Sequence, residues 1–138
     1  MSNGDIDDFG CLKKDKLELL DFSNKFYKLI KDVFTKHDIT HVITEIPVGS
    51  KSYFAVKALA FCNGMVFSTL QSYNTEIIIV QPKAAKKKVS GKANLDKDEV
   101  LEFVELKFPS IFNKIKDKPK YVRETISDCV LLYFGVVN

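Results

Sequence analysis

Cysteine and histidine are scarce in this chain of 138 residues. The three cysteines, Cys11, Cys62 and Cys129, are far apart and lack the Cys-x-x-Cys spacing of common zinc sites. All three stand among apolar neighbours, which predicts buried, reduced thiols in an intracellular protein. The two histidines are His37 and His41, and a Cys–His nucleophile would need Cys62 or Cys129 to approach them, which nothing in the sequence indicates.

Long apolar runs and glycine-rich loops are also missing. No apolar stretch approaches the roughly 20 residues that a helix needs to cross a bilayer. The first eight residues are acidic and polar, unlike a signal or transit peptide. Gly49 and Gly91 are isolated, which argues against a P-loop nucleotide site. With 46% hydrophobic and 28% charged residues, the composition predicts one globular domain over residues 1–138.

The positive charge is concentrated rather than abundant. The net charge is only +3, but six lysines lie between positions 83 and 97, and the first carboxylate in that span is Asp96. The segment 82–100 follows an apolar run, so we expect a basic loop between a buried strand and a helix. Clustered lysines repel one another unless an anion binds them, and nucleic-acid phosphate is the usual anion. The alternative is a flexible loop of solvated lysines, although a strand end is where α/β sheets place their sites.

Periodicity predicts an α/β domain in which helices alternate with short strands. The predicted helices span about 15–36, 51–72, 96–107 and 120–134. The predicted strands span 9–12, 41–46 and 76–81. Asp15, Ser50 or Ser52, and Asp96 are the expected helix caps. The order of strand, helix and strand predicts that 41–46 and 76–81 pair in parallel.

Three carboxylates occupy positions that a metal ion would explain. Glu45 ends an apolar strand, where a carboxylate must be paired, bind a cation or lie at the rim. Glu124 and Asp128 are four residues apart on the last predicted helix, so they share a face and repel one another. Carboxylates suit Mg²⁺ or Mn²⁺. Two such ions about 4 Å apart can cleave a phosphodiester, and a nearby lysine would stabilise the transition state.

Three segments together resemble a known family. They are Val-Ile-Thr-Glu at 42–45, Lys-Lys-Lys-Val-Ser-Gly at 86–91 continuing to Lys-Asp-Glu-Val at 97–100, and Ile-Ser-Asp-Cys at 126–129. In their order and spacing they resemble the RuvC-type Holliday junction resolvases, within the RNase H-like nuclease superfamily. The likeness is greatest to short phage-type members. It implies a mixed sheet flanked by helices.

The resemblance also implies roles for single residues. Glu45 and Asp128 would be catalytic metal ligands, with Glu124 as a further ligand, and Lys97 would be the active-site lysine. The residues implied in DNA contact are the lysines of the basic segment, Lys83, Lys86, Lys87, Lys88, Lys92 and Lys97. Members of the family act as magnesium-dependent homodimers that nick four-way DNA junctions in recombination and repair. The implied location is the cytoplasm of a bacterium or a phage-infected cell, with no membrane contact.

One part of the family pattern has no counterpart here. The family begins with a hydrophobic strand that carries its first catalytic Asp, whereas Asp5, Asp7 and Asp8 precede no such strand. We therefore expect either an N-terminally truncated resolvase or a degenerate member that binds DNA without cutting it. A third alternative is an α/β interaction domain whose lysines have no role in DNA binding.

Overall fold

The computed structural model describes residues 1, 5–13, 18–45 and 52–137. It divides into two compact units, one formed by Leu12–Ile79 and the other by Met1–Cys11 with Val80–Asn138. We describe each unit by itself. The predicted cap Asp15 and the predicted loop at 47–50, including Ser50, lie outside the described residues.

In its described residues, the unit formed by Leu12–Ile79 has two helices and a small parallel sheet. Its elements are α1 (Leu19–Lys36), β1 (His41–Glu45), α2 (Tyr53–Gln71) and β2 (Glu76–Val80). β1 and β2 are hydrogen-bonded neighbours, as the strand order in the sequence predicts. Ser52 caps α2, since its side chain accepts a hydrogen bond from the Ala55 N–H at 3.5 Å.

Aromatic and charged pairs fix the ends of these elements. The rings of Phe34, late in α1, and Tyr73, just after α2, stack with their centroids 4.6 Å apart. At the start of the sheet, His41 Nε2 lies 3.4 Å from Glu76 Oε2. The pairing of Phe34 with Tyr73 explains why an amphipathic α1 packs beside α2.

Helix α2 is more apolar than the sequence reading allowed. By length and composition it could cross a membrane, but core helices of soluble proteins pass the same test, so this is weak evidence. Its first residues are apolar and open to solvent, with Tyr53 74% and Phe54 80% exposed. The expectation that no apolar run approaches membrane-spanning length is therefore too strict, because Lys57 interrupts the run without making the helix polar.

The second unit is helical. Its elements are α3 (Pro82–Ser90), α4 (Lys97–Lys107), α5 (Pro109–Ile115) and α6 (Lys120–Val137). Apolar residues from α4, α5 and α6 and from the N-terminal segment form one core: Ile6, Val104, Ile111, Ile115, Ile126 and Val130. Phe108 and Phe134 cover this core with rings stacked 4.3 Å apart.

Side chains of the N-terminal segment anchor it to the core of its own unit. The predicted strand at 9–12 is wrong, because residues 9–12 have no strand conformation. Ile6 is instead buried in the core, and Phe9 packs against it. The Lys114 ammonium binds the segment by donating to the Ile6 carbonyl at 2.7 Å and to Asp5 Oδ2 at 2.8 Å.

The expectation of a basic loop after β2 is also wrong in part. Residues Pro82–Ser90 form α3, and an irregular segment follows only from Gly91. Pro82 occupies the first turn, where its fixed φ suits a helix and its missing N–H costs nothing. Gly91 ends the helix with φ at +79°, and its N–H donates to the Lys87 carbonyl at 2.9 Å. Pro82 at the start and Gly91 just past the end are local signals of a helix, although the clustered lysines between them favour a loop.

Helix α3 lies close against α6 because two small residues meet. A Cβ placed on Gly135 would lie 2.6 Å from the Cβ of Ala85, far inside van der Waals contact. Ala85 is 2% exposed. This contact fixes which face of α3 is buried and therefore which of its lysines meet solvent.

The cysteines differ from the prediction that all three are buried. They form no disulfide, and Cys11 and Cys129 are exposed. Cys62 is half-buried, and burial raises the pKa of its thiol. An apolar neighbourhood in sequence did not bury Cys129, because its position on α6 is next to Asp128, away from the Ile126–Val130 stripe.

Candidate nucleic-acid interface

Three lysines form an exposed surface on α3, which we call the exposed lysine face: Lys83, Lys87 and Lys88. Lys83 and Lys87 are one turn apart, on the side of the helix opposite the buried Ala85. None of the three forms an ion pair with any residue in the described part of the chain. Lys87 and Lys88 also lie in the last turn of α3, where positive charge is favoured by the helix dipole. The face is therefore a compact block of uncompensated positive charge.

Lys86 differs from its neighbours because it turns toward α6. Its side chain is only 19% exposed, and its Nζ lies 3.0 Å from Asp128 Oδ1. This oxygen is itself buried, and it accepts no hydrogen bond of good angle from the described residues. Gly135 lies seven residues after Asp128, two turns along α6, so both residues contact α3 from one face. Close approach at Gly135 thus brings Lys86 to Asp128.

The N-terminal cap of α4 contacts Lys92, another of the predicted DNA-binding lysines. Asp96 caps α4 by accepting from the Glu99 N–H at 2.9 Å, and Glu99 Oε2 accepts from the Asp96 N–H at 2.8 Å. The same Glu99 carboxylate pairs with Lys92. Hydrogen bonding between them raises the pKa of Lys92 and lowers the pKa of Glu99. The capping box therefore holds Lys92 beside α4.

Two charge pairs join the first turn of α4 to the first turns of α6. Lys97 Nζ lies 3.2 Å from Glu124 Oε2, and Lys120 Nζ lies 2.8 Å from Asp98 Oδ1. Lys120 also lies 3.8 Å from Glu124 Oε1. The Lys120–Asp98 hydrogen bond raises the pKa of Lys120 and lowers the pKa of Asp98. Glu124, with a side chain only 13% exposed, thus lies between two ammonium groups.

The six predicted lysines consequently fall into two classes of three. Lys86, Lys92 and Lys97 are each paired with a carboxylate, whereas the exposed lysine face has no such partner among the described residues. Sequence reasoning missed Lys120 and Asp98. Lys120 could have been noticed from its position four residues before Glu124, which is ion-pair spacing on a helix. Nothing local to the sequence indicates Asp98, whose partner is on another helix.

The predicted metal ligands are divided between the two units. Glu45 ends β1 as an exposed residue in the unit Leu12–Ile79, while Glu124 and Asp128 belong to the other. That these carboxylates converge on one cation stays a prediction. Among the described residues, no group of three or more His, Cys, Asp or Glu side chains is gathered for a metal ion. In their own unit, Glu124 and Asp128 supply hard oxygen donors, and the buried Asp128 Oδ1 without a hydrogen bond suits a cation.

Comparisons with known proteins show a similarity of fold. No protein-family model matches the chain, and no curated protein matches it in sequence. Among solved structures, it is similar to RuvC of Thermus thermophilus, with a TM-score of 0.67 and 13% sequence identity. The match covers 90% of this chain and 73% of RuvC. The chain has a RuvC-like α/β fold.

Proposed function

We propose that this protein is a metal-dependent, structure-selective DNA endonuclease that resolves four-way junctions in recombination and repair. The observation that carries the proposal is the exposed lysine face on α3, next to the α6 carboxylates, within a RuvC-like fold. The exposed lysine face would bind phosphates, because its charge is not neutralised by nearby described residues. Each phosphate it neutralises would release counterions and so favour binding.

In this proposal the α6 carboxylates and Glu45 hold Mg²⁺ or Mn²⁺. Such an ion, when bound, supplies activated water and stabilises the leaving oxygen of a phosphodiester. Glu124 and Asp128 would bind the ion through their oxygens. Lys97, next to Glu124, would place its positive charge on the scissile phosphate and stabilise the charge that develops there. Branched DNA is the proposed substrate, and a homodimer is the proposed assembly, because two nicks must be placed symmetrically.

A second function is a DNA-binding protein of the same fold that does not cut, whether degenerate or truncated. It is favoured by the ion pairs, since Lys86 and Lys97 neutralise the carboxylates that a metal would need. The exposed lysine face would serve this function equally well. Cleavage is therefore the property that separates the two proposals.

The test is to incubate the purified chain with a labelled synthetic four-way junction and Mg²⁺. We expect symmetric nicks from the wild type, and a loss of at least about a hundredfold in rate from either Glu45→Gln or Asp128→Asn, because each removes a metal ligand. Both variants should still bind the junction in a gel-shift assay. Glu105→Gln, which removes one exposed charge from α4, is the matched control and should cut at the wild-type rate.

The outcomes divide the alternatives. Tight, salt-dependent binding without products at any Mg²⁺ or Mn²⁺ concentration would overturn the nuclease and support the non-cutting binder. Weak binding that barely changes with salt would overturn both, because phosphate contacts impose a steep salt dependence. It would leave an α/β interaction domain with a solvated lysine face.

A further inference from the structure

The contacts between α3, α4 and α6 bring charges of both signs together. Three lysines meet three carboxylates there: Lys86, Lys97 and Lys120 with Asp98, Glu124 and Asp128. Arg123 adds a further positive charge beside Lys120. Without the lysines, Glu124 and Asp128 would repel one another at a spacing of four residues. The lysines therefore occupy the positions of neutralising cations.

We infer that Lys86 and Lys97 compete with a divalent cation for Asp128 and Glu124, and that cation binding releases both lysines to DNA phosphate. This inference rests on the proposed function for its DNA partner. Its physical basis is charge balance. A divalent cation on the two carboxylates would leave an excess of positive charge on the lysines and Arg123. The ammonium groups of Lys86 and Lys97 would lower this repulsion by turning away to bind DNA phosphate.

The geometry allows such an exchange. Both lysines are on helices other than α6, so release needs only side-chain rotation and no change in α6. The Lys97 side chain is 71% exposed and its ammonium can swing into solvent. The Lys86 side chain is 19% exposed, but it lies next to Lys87 on the edge of the exposed lysine face. A released Lys86 would therefore extend that face by one charge.

The exchange makes cation binding and DNA binding mutually reinforcing. If the cation raises DNA affinity by freeing lysines, DNA must raise cation affinity by the same factor. In the absence of a cation the lysines stay on their carboxylates, and the protein presents only the exposed lysine face to DNA. The device would keep DNA affinity low until the cation site is filled.

The first test measures the cation without DNA. Mn²⁺ binding to the full chain is followed by electron paramagnetic resonance for wild type, Lys86→Gln, Lys97→Gln and Lys87→Gln. We expect the first two variants to bind Mn²⁺ about three- to fivefold more tightly than Lys87→Gln, the scale of one partly exposed ion pair. Lys87→Gln removes the same charge from the same helix as Lys86→Gln, so it controls for long-range electrostatics.

The second test measures DNA without a cation. In EDTA, Asp128→Asn should bind the four-way junction about threefold more tightly than Glu105→Gln, because it releases Lys86. The slope of log affinity against log salt should steepen by about 0.9, the contribution of one phosphate contact. Circular dichroism and thermal melts establish that each variant is folded before it is compared.

The inference is overturned if Lys86→Gln and Lys97→Gln bind Mn²⁺ no more tightly than Lys87→Gln, which would mean that the lysines only orient the carboxylates. It is also overturned if Asp128→Asn and Glu105→Gln bind the junction alike. Failure of the proposed function has a different signature. The wild type would then bind the junction without cutting it, or bind no DNA under any condition, while the Mn²⁺ measurement would still report on the competition.

Discussion

At the scale of single residues, neighbours in the sequence have different electrostatic surroundings. Lys86 and Lys87 are adjacent on α3, yet one lies 3.0 Å from Asp128 Oδ1 and the other is exposed. A helix turns about 100° per residue, so adjacent lysines cannot meet the same partner. The lysines of α3 therefore have two kinds of surroundings, because Lys86 faces a carboxylate of α6 and Lys87 faces solvent.

Removing the exposed lysine face should weaken DNA binding without unfolding the protein. Changing its three lysines to glutamine is expected to lower the magnitude of the slope of log affinity against log salt by about 2.7, or about 0.9 for each lost phosphate contact. Fluorescence anisotropy with a four-way junction at several salt concentrations measures this slope. The control replaces three exposed lysines of α1 with glutamine: Lys25, Lys28 and Lys31. Equal slopes in the two triple variants would show that α3 is not the contact surface.

The pair formed by Asp5 and Lys114 should make stability depend on pH in acid. The hydrogen bond from Lys114 lowers the pKa of Asp5 below its usual value. A lowered pKa in the folded state stabilises the protein above the pKa of the unfolded state, near 4, and this contribution is lost as the pH falls through the folded value. Asp5→Asn should therefore lower the melting temperature at pH 7 and leave it nearly unchanged at pH 2.

The control for this pH dependence is Asp117→Asn, which removes an exposed carboxylate with no ion pair to the described residues. Thermal melts followed by circular dichroism between pH 2 and pH 7 make the comparison. If Asp5→Asn and Asp117→Asn lower the melting temperature equally at pH 7, the N-terminal segment is not held by this pair.

At the scale of elements, the position of α3 depends on a contact of two small side chains with α6. Ala85 and Gly135 leave no room between the helices for another methyl group, since a Cβ placed on Gly135 would lie only 2.6 Å from the Ala85 Cβ. Because this contact fixes the rotation of α3 about its axis, it decides which lysine of the helix faces α6.

Gly135→Ala should separate α3 from α6 and destabilise the protein. The added methyl group would meet the Ala85 side chain and backbone, and overpacking of this kind costs about 1–3 kcal/mol. Chemical denaturation measures the free energy of unfolding. The matched control is Gly64→Ala in α2, where nothing lies within 4 Å of the new Cβ. There the gain in helix propensity should raise stability by up to about 1 kcal/mol. Opposite signs at the two glycines are the expected result, and equal signs would contradict the close contact.

At the scale of the whole molecule, the fold is similar to that of a protein with little similarity of sequence. A TM-score of 0.67 to Thermus thermophilus RuvC accompanies only 13% identity. Buried positions need only apolar side chains of suitable volume, so a fold tolerates extensive replacement of its sequence. The proposed activity would depend instead on a few charged side chains and their spacing, so the fold alone does not establish it.

The predicted homodimer has a candidate contact in the apolar start of α2. Tyr53 and Phe54 are more than 70% exposed, at 74% and 80%. Burying one such aromatic side chain contributes about 1.5–3 kcal/mol, so Phe54→Asp should weaken a dimer that uses it by about 10- to 100-fold. Analytical ultracentrifugation over a range of concentrations measures the effect. Leu106→Asp, at an apolar position of α4 that is 79% exposed, is the control. A wild type that stays monomeric throughout would contradict the prediction.

Much of the secondary structure follows from local sequence. Apolar spacing predicted α1, α2, α4 and α6, and the cap at Asp96 was placed correctly because a capping box is a local pattern. Lysine repulsion favours a loop over 82–100, whereas the proline and glycine at the ends of α3 are local signals of a helix. A strand at 9–12 is predicted from side-chain type, whereas residues 9–12 have no strand conformation and Ile6 and Phe9 contact the core through their side chains.

The sequence by itself determined which residues carry charge, where they cluster and which helices hold them, because periodicity, capping and charge are properties of neighbouring residues. Only the tertiary structure decided which lysines are neutralised. Lys97 meets Glu124 across 27 positions of sequence, and Lys86 meets Asp128 because Ala85 and Gly135 bring two helices together. Charges interact through space over a few ångströms, and packing between helices sets those distances.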